Sequence, residues 1–340
     1  MLQKVIIMGG KAIKQAHRMS RDDYFQNMDV LRKIFDANKI EFAIPPVFAT
    51  KTTFGDMDIV TTDVDSCIAA LRGRTDAKIV QVNPKNGDVV SIGVVFPDSD
   101  SDSTLDSDKT VEFKSVVQVD VIGTHSSLLE LASWYMSFGW FGMVVGMCLK
   151  RCGMTYGSRG LFLDSDDVKL KLATDHAAIM EFVGIRGLDA VETPEDLVRV
   201  LAASRLDLEV VCARLEKTLD GDLDRLVPFK ALFFEHATPK NDRTAIRADE
   251  AIDRFGKRAE YEDAVQKTRD REAVKAKFNG RIVADVTNLA GSDLGKFMKH
   301  LLDDSAQRGF RTSDLLDADA DAIRQKIAEA YRSYESPTTA

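Results

Sequence analysis

Gly55-Asp56-Met57-Asp58-Ile59-Val60 is the stretch that decides the fold, because it places two aspartates inside an otherwise apolar strand. Aspartate is a poor strand former, so two of them at these positions need a reason. Side chains alternate along a strand, so Asp56 and Asp58 point to the same face, about 7 Å apart. Two carboxylates this close repel each other unless a cation lies between them. The stretch therefore predicts a strand that binds a divalent cation.

A third carboxylate, Asp120, interrupts a second apolar run, Val117-Gln118-Val119-Asp120-Val121-Ile122. Placed beside the first strand, it completes a cradle of three carboxylates for two Mg²⁺ or Mn²⁺ ions. Such a pair of ions activates an attacking hydroxyl and neutralises a leaving pyrophosphate. The alternative is that the aspartates cap strand ends or pair with Lys or Arg. The repeated pattern at strand spacing favours metal binding.

The surrounding sequence predicts an α+β fold. A helical pattern covers residues 21–38, and runs rich in Val and Ile predict strands at 54–60, 78–82, 89–96 and 111–122, with a helix at 65–72. We expect these strands to form a mixed, mostly antiparallel sheet with helices on it. Helical patterns return at 126–152 and dominate after residue 193. A boundary near residues 190–205 predicts two domains, 1–200 and a helical C-terminal domain, 201–340.

Composition limits the class of protein. The chain has 340 residues, 44% of them hydrophobic, and a net charge of −8, which argues against a protein coated in nucleic acid but not against local binding. No apolar run is long enough to span a membrane. The four cysteines show no pairing framework. We therefore expect a cytoplasmic, reduced protein without a membrane segment.

The central residues resemble a known family. Gly55-Asp56-Met57-Asp58 is similar to the catalytic strand of the DNA polymerase beta-like nucleotidyltransferases, including the family X polymerases, and Val119-Asp120-Val121 to the strand of their third aspartate. The resemblance continues, in order, through the helical residues 132–152, a hairpin at 153–162 and a short helix at 178–185. It covers roughly residues 40–200, and it implies a nucleotidyltransferase-type sheet with Asp56, Asp58 and Asp120 as catalytic metal ligands.

The resemblance also implies a nucleotide site. Tyr135-Met136-Ser137-Phe138-Gly139 occupies the place of the turn that lines the nucleotide sugar, so Tyr135, Ser137 and Gly139 are expected there. The family's Gly-Ser pair, which holds the triphosphate, is absent from residues 44–53. Lys51 fits a basic position of the family. Thr53, two residues before Gly55, offers a hydroxyl. Arg159 is expected to contact phosphate.

The tail carries a second resemblance. Leu289-Ala290-Gly291-Ser292-Asp293-Leu294-Gly295 is similar to a late helical segment of CCA-adding tRNA nucleotidyltransferases and related phage-type enzymes. It predicts a helix capped by Ser292, with amides near an RNA phosphate, or alternatively a turn where helices pack. This segment favours RNA as a partner.

Several other features were weighed. Cys148 and Cys152 are expected to be buried thiols rather than metal ligands. The aromatic cluster at 134–141 is expected to be core, except that Tyr135 stacks on a base. Lys150 and Arg151 are further candidates for phosphate contacts.

These expectations combine into one function. The chain is expected to transfer a nucleoside monophosphate from an NTP to a hydroxyl, preferably at the 3′ end of a nucleic acid and of RNA more than DNA. One alternative is nucleotidylation of a protein or small molecule, which suits the acidic charge. Another is a scaffold of the same fold without activity, which suits the missing Gly-Ser pair.

Overall fold

A computed structural model describes residues 12–97, 115–165, 168–217, 223–238, 245–303 and 310–335. Two stretches lie outside these residues: Gly9-Gly10-Lys11, whose sequence predicts a turn, and residues 98–108 of the acidic stretch 97–108, whose composition predicts a solvated loop. The described chain is α+β, with a mixed sheet and a helical C-terminal region, as predicted.

The central sheet has five strands in the order β2-β4-β7-β6-β5. Their bounds are β2 Phe42–Ala43, β4 Asp56–Thr61, β5 Lys78–Val82, β6 Val89–Val95 and β7 Val117–Gly123. Strands β4 and β7 are parallel, and the other neighbours are antiparallel. A separate two-stranded ladder joins β1 (Met19–Ser20) to β3 (Thr53–Phe54) just before the aspartate strand.

One face of the sheet is covered by α1 (Arg21–Ala37) and α2 (Val64–Leu71). Ser20 begins α1 by accepting a hydrogen bond from the Asp23 amide, and Asp63 begins α2 in the same way through Ser66. Both helices bury apolar side chains against the strands. The core there includes Met28, Leu31, Phe35, Met57, Ile59, Cys67, Leu71, Val119 and Val121.

The other face carries α3 (Leu129–Met136), which covers only the carboxyl-terminal half of the strands. Val60 and Ile122 form a small core with Ala132 of α3. The amino-terminal half of this face holds Asp56, Asp58 and Asp120 and is left to a cavity.

The predicted helical stretch at 126–152 is broken by a sharp bend. After α3 the chain forms a 3₁₀ turn at Ser137–Gly139 and then α4 (Phe141–Lys150), with 102° between the two helical pieces. Phe138 (φ 56°) and Gly139 (φ 75°) have left-handed backbone conformations, which a right-handed α-helix does not contain. The predicted hairpin follows as β8 (Met154–Gly157) and β9 (Gly160–Ser165), and then comes β10 (Val168–Ala173).

The described chain divides into two compact units, and the division differs from the predicted boundary near residue 200. One unit comprises residues 1–165 and 171–256, and the other comprises 166–170 and 257–340. Helices between 176 and 254 belong to the first unit. Parts of this region pack beside α4: Trp140, which precedes α4, lies 5.5 Å from Phe233, centroid to centroid, and the Cys148 thiol donates to the Asp207 carbonyl. These helices are α5 His176–Val183, α6 Pro194–Ala203, α7 Glu209–Lys217, α8 Lys230–His236 and α9 Ala248–Arg254.

The second unit is helical and has its own core. Its helices are α10 Arg258–Lys277, α11 Gly280–Thr287, α12 Gly291–Asp303, α13 Thr312–Asp317 and α14 Ala320–Glu335. The long charged segment from 249 to 278, which the sequence pattern predicts as helical throughout, is interrupted, because Gly256 (φ 64°) separates α9 from α10. The expected cap at Ser292 is also wrong, since α12 already begins at Gly291 and Ser292 lies inside it.

Among the described residues, no single helix has the length and apolar character needed to cross a membrane. Only the bent pair Ser126–Gly139 and Phe141–Lys150 meets those two criteria, and only when taken together.

Candidate active site

The three predicted carboxylates lie on neighbouring parallel strands. In the β4–β7 ladder Asp58 is directly opposite Asp120, and Asp56 is opposite Gln118. Because side chains two residues apart share a face of a strand, these four side chains point away from α1 and α2. The pairing therefore brings together from two distant parts of the sequence the residues that the pattern singled out.

All three aspartates line one cavity of about 780 Å³. Four of the residues predicted for the nucleotide also line it: Lys51, Thr53, Tyr135 and Gly139. The other three predicted residues are elsewhere: Gly55 and Ser137 are buried and lie outside the cavity lining, as does Arg159.

Asp58 has the most perturbed carboxyl of the site. Its pKa is raised to about 7, first because the side chain is withdrawn from water and then because Asp56 and Asp120 repel its negative form. Lys51 and Arg225 lower this pKa, but they offset only part of the effect. A cluster of this kind has excess negative charge that a bound cation would relieve.

Asp120 is held by hydrogen bonds. The Gln118 side-chain amide donates to both carboxylate oxygens, at 3.0 Å each, while its own oxygen accepts from the amides of Ala12 and Ile13. The pKa of Asp120 is nevertheless raised, chiefly by burial. Gln118 therefore positions the third carboxylate, a role that the sequence analysis did not assign.

The chemistry of these side chains fits a hard divalent cation, because Mg²⁺ and Mn²⁺ prefer carboxylate oxygens. In the ranges that the structure describes, no three Asp, Glu, His or Cys side chains already stand in the arrangement of a metal site. The aspartates thus share one cavity and one electrostatic field, and their side chains would have to reorient for all three to share one ion.

Three basic side chains line the same cavity as the carboxylates: Arg18, Lys51 and Arg225. Burial lowers the pKa of Lys51, while Asp56 and Asp58 raise it, and its ammonium group lies 4.5 Å from the centre of the Phe54 ring. Arg18 donates to the Thr53 carbonyl (3.2 Å) and hydroxyl (3.0 Å). Arg225 donates to the Gly139 carbonyl at 3.3 Å. Sequence reasoning missed Arg18 and Arg225, because neither belongs to a local pattern.

The other predicted phosphate ligands are engaged outside the cavity. Arg159 pairs with Asp88 at 2.7 Å, Arg151 pairs with Asp207 at 3.2 Å, and Lys150 pairs with Asp164. None of the three lines the cavity of the aspartates. The geometry thus assigns the facing positive charge to Arg18, Lys51 and Arg225 in their place.

The turn between α3 and α4 sets the position of Tyr135. Ser137 is buried and donates its hydroxyl to the Trp134 carbonyl, so it stabilises the turn. A Cβ atom at Gly142 would overlap with the carbonyl oxygen and the ring of Tyr135. Only glycine permits this approach, which leaves the Tyr135 ring at the cavity wall.

Comparison with known proteins gives no match: neither a protein-family model nor a curated protein corresponds to this chain.

Proposed function

We propose that this protein is a metal-dependent nucleotidyltransferase, which moves a nucleoside monophosphate from an NTP to a hydroxyl group. The observation that carries the proposal is the convergence of Asp56, Asp58 and Asp120 on one cavity from two adjacent parallel strands. The basic residues that line the same cavity carry positive charge, which suits a negatively charged triphosphate.

In this proposal Asp56 and Asp58 would hold two divalent ions and Asp120 would help to hold one of them. When bound, the ions would supply Lewis acidity toward the phosphates and stabilise the charge of the leaving pyrophosphate. The hydroxyl oxygen forms a bond to the α-phosphorus, the bond from that phosphorus to the bridging oxygen breaks, and pyrophosphate leaves. Asp120 favours removal of the hydroxyl proton, which passes to water.

The basic side chains take over the task of the absent Gly-Ser pair. Lys51 and Arg18 lie next to the strand that carries Asp56 and Asp58, and Arg225 approaches from a later segment. Together they neutralise the β- and γ-phosphates and hold the nucleotide while the hydroxyl attacks. The preferred acceptor is the 3′ end of an RNA strand, in line with the resemblance of the tail.

The direct test measures transfer from α-labelled NTPs in Mg²⁺ or Mn²⁺ to RNA, DNA and protein acceptors. We expect labelled RNA with the wild type and a loss of about 10²–10³-fold with Asp58→Asn. Asp29→Asn is the matched control, because Asp29 is an exposed residue of α1 paired only at the surface with Arg32. Equal, background transfer by the wild type and Asp58→Asn contradicts the proposal, and label on polypeptide alone redirects it to a protein acceptor.

A further inference from the structure

One end of the cavity is walled by aromatic rings that the carboxylate chemistry does not use. We call this set the aromatic wall, and it consists of Phe48, Phe138, Trp140 and Phe229. The Phe48 ring stacks on Phe138 at 4.9 Å and lies 5.9 Å from Trp140, which in turn lies 5.6 Å from Phe229, all between centroids. Phe229 is the half-buried member, while the other three are buried.

The wall contains an unsatisfied donor. Trp140 is 2% exposed, and its indole N–H has no hydrogen-bond acceptor among the described residues. A buried donor without a partner costs free energy, so buried donors in the functional state of a protein are usually hydrogen-bonded. The nitrogen atom has almost no accessible surface in this conformation, so a planar ligand could pair with it only after the ring has shifted.

The short segment that begins at Leu223 brings both kinds of group to the cavity. Arg225 and Phe229 are four residues apart, and both line it, with Leu226 buried between them. Arg225 acts electrostatically on Asp58, whereas Phe229 meets Trp140. This segment lies beyond residues 40–200, where the family resemblance ends, so it is a feature of this chain.

We propose that the aromatic wall binds the nucleobase of the nucleotide, stacked on Phe229 and adjacent to Trp140. The inference rests on the proposed function and deepens it, because it separates the cavity into a phosphate end and a base end. Every base has a π face, so a stacking site of this type accepts different bases with similar affinity.

Tryptophan fluorescence tests the base end directly. The chain has only two tryptophans, and Trp134 is stacked on His176 at 5.1 Å and does not line the cavity. In the Trp134→Phe variant Trp140 is therefore the sole reporter. We expect saturable quenching by ATP and by UTP in Mg²⁺ and no quenching by inorganic tripolyphosphate, which should nevertheless displace either nucleotide.

A substitution separates stacking from phosphate binding. Phe229→Leu should raise the dissociation constant of ATP about tenfold and leave that of tripolyphosphate unchanged. Phe255→Leu is the control, since Phe255 is a half-buried ring packed on Phe182 at 5.4 Å outside the cavity. A folded Phe229→Leu protein with wild-type ATP affinity overturns the base site.

The outcomes distinguish the two proposals. Transfer by the wild type without any nucleotide effect on Trp140 overturns the base site and leaves the proposed function in place. Saturable quenching without transfer supports the base site and contradicts the enzyme. No binding of ATP by fluorescence or calorimetry overturns both.

Discussion

The two faces of strands β4 and β7 share one backbone and differ in every other respect. Met57, Ile59, Val119 and Val121 point toward α1 and α2 and are fully buried, whereas Asp56, Asp58, Gln118 and Asp120 point toward the cavity. The apolar face stabilises the fold, because each large side chain contributes about 1.5–3 kcal/mol when buried. The polar face costs stability, because it holds carboxylates close together and away from water. The same two strands therefore carry the site on their polar face and are stabilised by their apolar face, which packs on α1 and α2.

The largest effect on stability should come from the apolar face. Ile59→Ala removes a side chain with no exposure beside the site. We expect the free energy of unfolding to fall by about 2–5 kcal/mol, since the change leaves a cavity in the core. Chemical denaturation measures it. A loss below about 1 kcal/mol would contradict the role of this face.

The turn that positions Tyr135 should be the next most sensitive feature. Gly142→Ala should lower the free energy of unfolding by about 1–3 kcal/mol, because the added methyl group overlaps with Tyr135. It should also raise KM for the NTP by moving that ring. Gly146→Ala, in the same helix, is the control: outside the helix, the atom nearest to the added methyl group is the Tyr156 carbonyl oxygen at 3.4 Å, so the substitution should be tolerated. Equal effects of the two substitutions would refute the positioning role of Gly142.

On the polar face, a substitution should raise the free energy of unfolding instead of lowering it. The pKa of Asp58 is raised from 3.8 to about 7, so the folded protein binds a proton more tightly than the unfolded chain. Without divalent ions, the free energy of unfolding of the wild type, taken relative to that of Asp58→Asn, should fall as pH rises from about 4 to 7 and stay level above that. The comparison with Asp58→Asn is needed because His176, whose pKa is lowered to about 4 by burial, acts in the opposite sense over the same range. At pH 8 Asp58→Asn should be more stable than the wild type by on the order of 1 kcal/mol or more.

Thermal denaturation in a chelator, across that pH range, measures the effect. Because metal binds the ionised carboxylates, the affinity for Mn²⁺ should rise over the same pH window. A stability profile of the wild type that rises between pH 4 and 7 and becomes flat in Asp58→Asn would contradict the repulsion.

The smallest effects on stability should come from substitutions of basic residues. Their effects on KM should distinguish basic residues that line the cavity from those on the surface. Arg159→Gln breaks an exposed pair with Asp88, so it should leave the free energy of unfolding almost unchanged and leave KM for the NTP unchanged. Arg18→Gln should raise KM, because Arg18 lines the cavity. A higher KM for Arg159→Gln than for Arg18→Gln would restore the original assignment of Arg159.

Local patterns predicted the parts of this molecule that local physics controls. Aspartates inside apolar runs indicated both strands of the site, and the helix predicted at 21–38 followed from its periodicity. The sequence could not indicate that Arg18 and Arg225 line the cavity that also holds Asp58, since long-range packing decides it. The bend at Phe138 also escaped, because a non-glycine residue in a left-handed conformation is imposed by its surroundings. The sequence pattern predicts a domain boundary near residue 200 because it does not indicate which later residues pack beside Trp140 and Cys148.

Anomalous diffraction from crystals grown with Mn²⁺ and a non-hydrolysable NTP tests the central claim most directly. The account predicts manganese density within carboxylate bonding distance of Asp56, Asp58 and Asp120, with Asp120 turned from Gln118 toward the ion. Nucleotide bound without manganese at these three residues, or manganese bound elsewhere while Gln118 still holds Asp120, would contradict it.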